Sequence, residues 1–208
     1  MEYDWKVVIS LIAMVITVFA TTFNAYMQYF QKYKLKILVS DPLKLFYGTD
    51  SNLFLHANLT FLNEGAMNCP ILSLEILLEG EKIKNSERFI FRAFLDSSDF
   101  GLDKGIYEPK FFVKTLAKPF IVSKRDAIVE TIKFSSINSL KLEAGTYTLS
   151  FRVIGGNNND VLTSLSKVFS INEKNATFLN QHCHSDKETK RSKNSLSLVY
   201  NNTLERNS

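Results

Sequence analysis

The side chains best suited to bind a transition metal are three adjacent residues of the C-terminal tail, His182, Cys183 and His184. Imidazole and thiolate are ligands of zinc and copper. Three neighbours cannot all face one ion without an unusual backbone, and no second cysteine or histidine stands at ligand spacing. The surrounding sequence is rich in Asn, Ser and Lys. We therefore predict a solvated segment and no metal site.

A second candidate is the acidic stretch with Asp96, Asp99 and Asp103. Calcium loops place ligands at every second residue around a glycine turn, and this spacing differs from that pattern. The sequence also has no nucleophile elbow, no phosphate-cradling glycine loop and no paired Cys and His. We predict no cofactor and no catalytic site. An enzyme assembled from dispersed strand residues remains an alternative.

Charge and cysteine usage narrow the class of protein. Residues 1–36 and 172–208 each carry a net charge of +2, whereas residues 37–171 are neutral. The central region thus lacks the basic field of a nucleic-acid-binding protein. The two cysteines, Cys69 and Cys183, are far apart, which differs from a disulfide scaffold and fits a reducing compartment.

The N-terminal segment has no charged residue from Val7 to Gln31. As a helix it is longer than the roughly 20 residues that cross a bilayer, and aromatic residues lie at both edges. A cleaved signal peptide is the alternative, but the leader "MEYDWK" is acidic where signal peptides are basic. We predict one transmembrane helix.

Orientation is predicted from the lysines beside this segment. Lys32, Lys34, Lys36 and Lys44 follow it, and only Lys6 precedes it. The positive-inside rule then places the N-terminus outside and the rest of the chain in the cytoplasm. An exported domain on the same anchor is the alternative.

Polar residues of the segment recur at steps of three and four, which places them on one stripe of a helix. Such a stripe is favoured against another helix, so we predict a protein partner or self-association in addition to the lipid bilayer. Hydrogen bonds from the hydroxyls to their own backbone are the alternative. The predicted polar face comprises Ser10, Thr17, Thr21, Asn24 and Gln28.

Beyond the anchor, alternating apolar and polar residues indicate half-buried strands. In residues 52–65, Leu53, Leu55, Ala57, Leu59 and Phe61 fall on one face. Turn residues separate most of the segments, which is typical of an all-β sandwich or barrel. The predicted strands lie in 34–41, 43–48, 52–65, 71–83, 88–95, 109–116, 120–123, 127–134, 146–154 and 164–171.

The stretch "LKLEAGTYTLSFRV" (140–153) resembles the tyrosine corner of immunoglobulin-like sandwiches. Glu143, Gly145 and Tyr147 stand where that motif has an acid, a small residue and the tyrosine. Leu149 stands where antibody domains have their second cysteine, and fibronectin type III domains also lack that disulfide. The resemblance implies an all-β, immunoglobulin-like or fibronectin-III-like β-sandwich, with the Tyr147 hydroxyl bonded to upstream backbone.

The complete prediction divides the chain into a flank (1–6), a transmembrane helix (7–31), a basic juxtamembrane segment (32–36), a β-sandwich (37–171) and a polar, disordered tail (172–208). The function expected of this arrangement is non-catalytic recognition or assembly at the membrane.

Overall fold

A computed structural model describes residues 5–29, 33–47, 52–83, 85–98, 102–103, 106–107, 110–155, 160–180 and 196–198. It contains two helices, α1 (Trp5–Tyr29) and α2 (Glu173–Asn180). Residues Trp5–Tyr26 of α1 have a mean hydropathy of 2.2, and none of this span is buried by the rest of the molecule. By length and composition this helix can cross a membrane, a test that a signal sequence also passes.

Most of the described chain is β-strand, as predicted. The strands are β1 (Leu35–Tyr47), β2 (Asn52–Asn63), β3 (Cys69–Gly80), β4 (Glu87–Ser98), β5 (Leu102–Asp103), β6 (Ile106–Tyr107), β7 (Lys110–Leu116), β8 (Phe120–Val122), β9 (Asp126–Ser139), β10 (Gly145–Gly155), β11 (Asp160–Ile171) and β12 (Leu196–Leu198).

Ten of these strands form one antiparallel sheet. Its order is β11-β10-β3-β4-β9-β2-β1-β12, with β7 paired to β4 and β8 paired to β3. Strands β1 and β11, near the two ends of this order, lie close together. The sheet is therefore a nearly closed, barrel-like layer around one core, and β5 pairs with β6 apart from it.

The predicted β-sandwich is wrong, because two separate sheets are required for a sandwich. Strand β4 pairs with β3 through Glu87–Ile90 and with β9 through Phe89–Leu95. It therefore joins β11, β10 and β3 to β9, β2, β1 and β12 in a single sheet. An irregularity between Phe91 and Ala93 changes the register of β4 against β9. Such bulges bend a strand and increase its twist, which favours curvature into a barrel.

The core follows the alternation of the strands. Leu53, Leu55, Ala57, Leu59 and Phe61 of β2 are all buried, as predicted. Strand β3 departs from strict alternation at its start: Leu74, Ile76 and Leu78 are buried, but Leu72 is 38% exposed and Ile71 is buried instead. Pairing between β3 and β10 shifts at this point, between Ile154 and Gly155. A one-residue shift exchanges the inward and outward faces.

Residues beyond Ile171 differ from the predicted disordered tail. Helix α2 begins after Asn172, whose side-chain oxygen accepts a hydrogen bond from the Asn175 backbone N–H at 2.8 Å. That contact is an N-cap, which satisfies one free donor of the first turn. Ala176 and Leu179 are buried in the core, and strand β12 pairs with Leu43–Leu45 of β1. The barrel thus includes α2 and β12, which belong to the region that its composition predicts to be a polar tail.

Candidate functional site

The predicted polar face of α1 lies on an exposed helix, and both threonine hydroxyls of this face bond to the backbone of the same helix. Thr17 Oγ1 donates to Ala13 O at 2.8 Å, and Thr21 Oγ1 donates to Thr17 O at 2.7 Å. Ser10 is exposed on the same helix. These bonds to the preceding turn are the alternative weighed above, and they remove the need for a second helix at both threonines.

Asn24 differs from these threonines. It is exposed, and it has no hydrogen-bond partner within the part of the chain that the structure describes. The side chain of Gln28 lies outside the described residues. Of the predicted stripe, Asn24 is therefore the residue whose amide is best placed to bond outside the chain.

The end of the barrel nearest α1 in sequence is held together by the buried side chain of Asn63. Its Oδ1 accepts from the Lys34 N–H at 3.3 Å and from the Gly65 N–H at 3.0 Å. Its Nδ2 donates to the carbonyls of Met67, Val122 and Ser123 at 2.7, 3.2 and 3.1 Å. One amide thus connects the start of β1, the β2–β3 loop and the β8–β9 turn.

Further hydrogen bonds complete this end, which we call the proximal platform (residues 33–36, 63–68 and 122–126). The Glu64 N–H donates to Lys34 O at 2.9 Å, and the Arg125 N–H donates to Gly65 O at 3.2 Å. Glu64 forms ion pairs with Lys34 at 3.3 Å and Lys36 at 2.6 Å. The hydrogen bond from Lys36 lowers the pKa of the Glu64 carboxyl, so the platform keeps this charge paired.

The opposite end of the barrel contains Glu143, Gly145 and Tyr147, the residues that resemble a tyrosine corner in the sequence. The Tyr147 hydroxyl donates to Glu143 O at 2.7 Å and accepts from the Glu143 N–H at 3.2 Å. Burial raises the pKa of this hydroxyl. The ring stacks on Phe169 with centroids 5.6 Å apart and lies over Gly80, where an added Cβ would be 2.5 Å from Tyr147 Cδ1. This local contact occurs here in a barrel-like sheet, so it does not identify an immunoglobulin fold.

A second buried tyrosine joins α2 to the same end. The Tyr47 hydroxyl lies 2.8 Å from Leu140 O and 3.0 Å from Asn180 Oδ1, and it accepts from the Leu142 N–H at 3.1 Å. Asn180 Nδ2 donates to Leu142 O at 2.6 Å. These bonds fix α2 against the loop between β9 and β10.

A shallow open groove of about 530 Å³ lies between α2 and this loop. Its charged groups are mixed in sign, and Lys82 and Glu143 are 3.5 Å apart as an exposed ion pair. Such a surface offers hydrogen-bond and ion-pair partners to a polar peptide. The groove, here called the distal groove, is lined by Lys82, Lys141, Glu143, Ala144, Glu173, Ala176, Thr177 and Asn180.

The outer face of β1, β2 and β9 carries an aromatic cluster around His56. The His56 ring makes edge contacts with Phe46 at 4.8 Å and Phe111 at 5.4 Å. Burial, together with the charges of Lys133 and Lys44, lowers the pKa of His56 to about 3. Its Nε2 is buried without a hydrogen-bond partner among the described residues. The imidazole is therefore neutral at physiological pH and packs as an aromatic ring.

The remaining candidates from the sequence contribute no described site. His182, Cys183, His184 and Asp99 lie outside the described residues, as does the side chain of Asp103. Among the residues that are described, no group of three or more His, Cys, Asp or Glu is placed to hold a metal. Cys69 is fully buried in the core, and burial raises the pKa of its thiol to about 11.

Sequence reasoning missed the role of Asn63 and the contribution of α2. "NEG" at 63–65 indicates a turn, but three of the carbonyls and amides that Asn63 binds belong to segments distant in sequence. For α2 a signal was present: Asn172 precedes a short stretch in which Ala176 and Leu179 are spaced three apart.

Comparisons with known proteins identify no family. No family model matches the chain, and no curated protein matches it. Among solved structures, the ApaA protein from Bordetella pertussis is similar over 69% of this chain and 96% of its own, with 9% identity and a TM-score of 0.33. β-Glucosidase 3B from Thermotoga neapolitana is similar over 73% of this chain and 19% of its own, with 14% identity and a TM-score of 0.31. At such scores neither likeness bears on function.

Proposed function

We propose that this chain is a single-pass membrane protein whose barrel acts as a non-catalytic binding module on the cytoplasmic side. The observation that carries the proposal is the exposure of α1: a span of 22 residues with mean hydropathy 2.2 has no residue buried against the barrel. An apolar surface of that size is stable in lipid and unfavourable in water. The lysines that follow α1 favour the cytoplasmic side.

In this proposal, one end of the barrel lies near the membrane and the other end binds a partner. Strand β2 has 12 residues and is therefore up to about 40 Å long at about 3.3 Å per residue, and the distal groove lies at the end of the barrel opposite the proximal platform. The platform follows α1 directly in sequence, which keeps that end near the bilayer. The distal groove then faces the cytoplasm and is the surface offered to a protein partner.

A site-specific photo-crosslinker at Thr177 tests this role in native membranes. Thr177 is exposed and lines the distal groove, whereas Lys174 is exposed on the same helix and lies outside the groove lining. We expect a discrete adduct from position 177 and not from position 174. The adduct should disappear with Glu143→Lys, which reverses a groove charge. Identical adducts from both positions would contradict the proposal.

A further inference from the structure

The β8–β9 turn carries two basic side chains at the tip of the proximal platform. Lys124 and Arg125 are exposed, and neither has an ion-pair partner among the described residues. Their backbones are fixed: the Lys124 N–H donates to Asn68 Oδ1 at 3.0 Å, and the Arg125 N–H donates to Gly65 O at 3.2 Å. Asp126 is the acidic neighbour in this turn, and its Oδ1 accepts from the Ala127 N–H at 2.8 Å.

Arg125 occupies a backbone conformation that is unfavourable for its residue type. Its φ is +53°, in the left-handed region that glycine adopts without a steric penalty. A non-glycine residue at such a position costs roughly 1 kcal/mol. An arginine therefore stands at a position where glycine would be more stable, and we take this as a sign that its charge has a function.

Two exposed apolar side chains lie beside these cations. Met67 is 43% exposed. Its carbonyl and that of Ser123 both accept hydrogen bonds from Asn63 Nδ2, so Met67 lies next to the turn. Ile121 is 58% exposed, next to the buried Val122 that begins the turn. Basic residues interleaved with apolar ones suit the boundary between headgroups and hydrocarbon.

The chain holds this tip close to the end of α1. Helix α1 ends at Tyr29, and Tyr33 already packs against the core. Four residue steps extend at most about 14 Å. The Lys34 N–H and carbonyl are both bonded within the platform, so the connection between α1 and the barrel ends before Lys34. The ion pairs of Glu64 with Lys34 and Lys36 also neutralise the acid that would otherwise repel phosphate.

We propose that the proximal platform docks on anionic phospholipid headgroups through Lys124 and Arg125, with Met67 and the adjacent Ile121 at the hydrocarbon boundary. This inference rests on the proposed membrane anchor. Docking fixes the tilt of the barrel, so the distal groove points away from the bilayer. Each basic side chain near an anionic surface stabilises the docked state, so its removal lowers the ratio of docked to undocked chains about fivefold.

The test uses the full chain with Cys183→Ser, reconstituted in vesicles that contain a trace of headgroup-chelated nickel. Met67→Cys carries a nitroxide label, because Cys69 is buried and does not compete for the reagent. Thr177→Cys is the matched distal label. We expect stronger relaxation of the Met67 label by nickel when phosphatidylserine is added to phosphatidylcholine, and no change at Thr177.

The variants Lys124→Ser and Arg125→Gly separate the outcomes. Glycine suits the φ of +53° at position 125, so loss of folding is not expected there. Both variants should reduce the phosphatidylserine effect while the chain stays with the vesicles. Incorporation with equal relaxation in both lipids, or an effect that survives both variants, overturns the docking inference and leaves the anchor intact. Failure of the chain to float with the vesicles overturns the anchor itself. Relaxation at Met67 that requires an added cytosolic protein identifies a protein partner and also overturns lipid docking.

Discussion

Single side chains with many hydrogen bonds determine how the two ends of the barrel hold together. Asn63 is fully buried and binds three chain segments, and Tyr47 and Tyr147 bind backbone at the opposite end. Removing one partner of such a bond leaves a buried polar group unsatisfied, which costs more than the bond itself contributes. Substitutions at these residues should therefore lower stability much more than their size suggests.

Asn63→Asp is predicted to destabilise the barrel by about 3 kcal/mol at neutral pH. The carboxylate has the same shape but places an acceptor where Nδ2 donates to three carbonyls. Thermal unfolding of the full chain in detergent, followed by the β-sheet circular dichroism signal, measures the change. Asn58→Asp, at a half-buried site on the outer face of β2, is the control. Equal losses from both variants would contradict the central role of Asn63.

Tyr147→Phe is predicted to cost about 1–2 kcal/mol, because the Glu143 carbonyl and N–H both lose their partner. Gly80→Ala should be at least as harmful, since its Cβ would meet the Tyr147 ring at 2.5 Å. Unfolding by urea in detergent compares the two with Gly145→Ala, whose Cβ would be 3.9 Å from that ring. Wild-type stability of Tyr147→Phe would contradict the role assigned to the hydroxyl.

His56 gives the barrel a pH dependence with a defined sign. Its pKa is lowered from 6.5 to about 3 in the folded chain, so the unfolded chain binds a proton first as pH falls. Stability is therefore complete above about pH 6.5 and is lost progressively toward pH 3, by about 2 kcal/mol at pH 5. His56→Phe should flatten this part of the stability profile. An unchanged profile for that variant would show that other groups cause it.

At the scale of elements, alternation and turn residues predicted most strands, because every second side chain of a strand points into the core. The inward residues of β2 illustrate this success. Which strands are neighbours depends on contacts across the chain, and no local pattern reports that β4 joins β3 to β9. The Asn63 contacts escaped prediction for the same reason. Strand β1 runs through Asp41 and Pro42, where a break was predicted, because the register shift between Ser40 and Lys44 accommodates the proline.

Helix α2 is an integral element of the barrel, so Leu179→Ala should destabilise it by about 3 kcal/mol. Leu179 is 1% exposed. Thr177→Ala on the same helix is the matched control, since Thr177 is exposed and should tolerate truncation. Thermal unfolding in detergent measures both. A loss below 1 kcal/mol for Leu179→Ala would indicate a helix that only rests on the surface.

Helix α1 is expected to associate through Asn24 and not through its threonines. Thr17 and Thr21 already bond to their own backbone. Asn24→Leu should therefore reduce disulfide or chemical crosslinking between copies in membranes, whereas Thr17→Val and Thr21→Val should not. A larger loss of crosslinking from the two threonine substitutions would contradict the role assigned to Asn24 and place the contact at the threonines.

At the scale of the molecule, we predict an uncleaved anchor, a barrel close against the bilayer and a cytoplasmic distal groove. These features depend on one another. The short connection between α1 and Tyr33 keeps the barrel on the side where the chain leaves the membrane. In the proposed arrangement, the proximal platform docks on the anionic cytoplasmic leaflet. A barrel on the other side would face a less anionic surface, and the groove would meet different partners.

Labelling of Cys183 with a membrane-impermeant maleimide in sealed right-side-out vesicles tests this claim most directly. Cys69 is fully buried and the pKa of its thiol is raised to about 11, so the reagent reports on Cys183 alone. We expect a membrane-bound product of full-length mass, 23.8 kDa, that is labelled only after the vesicles are permeabilised. Labelling of sealed vesicles would place the barrel outside the cytoplasm, and a shortened product would identify α1 as a cleaved signal.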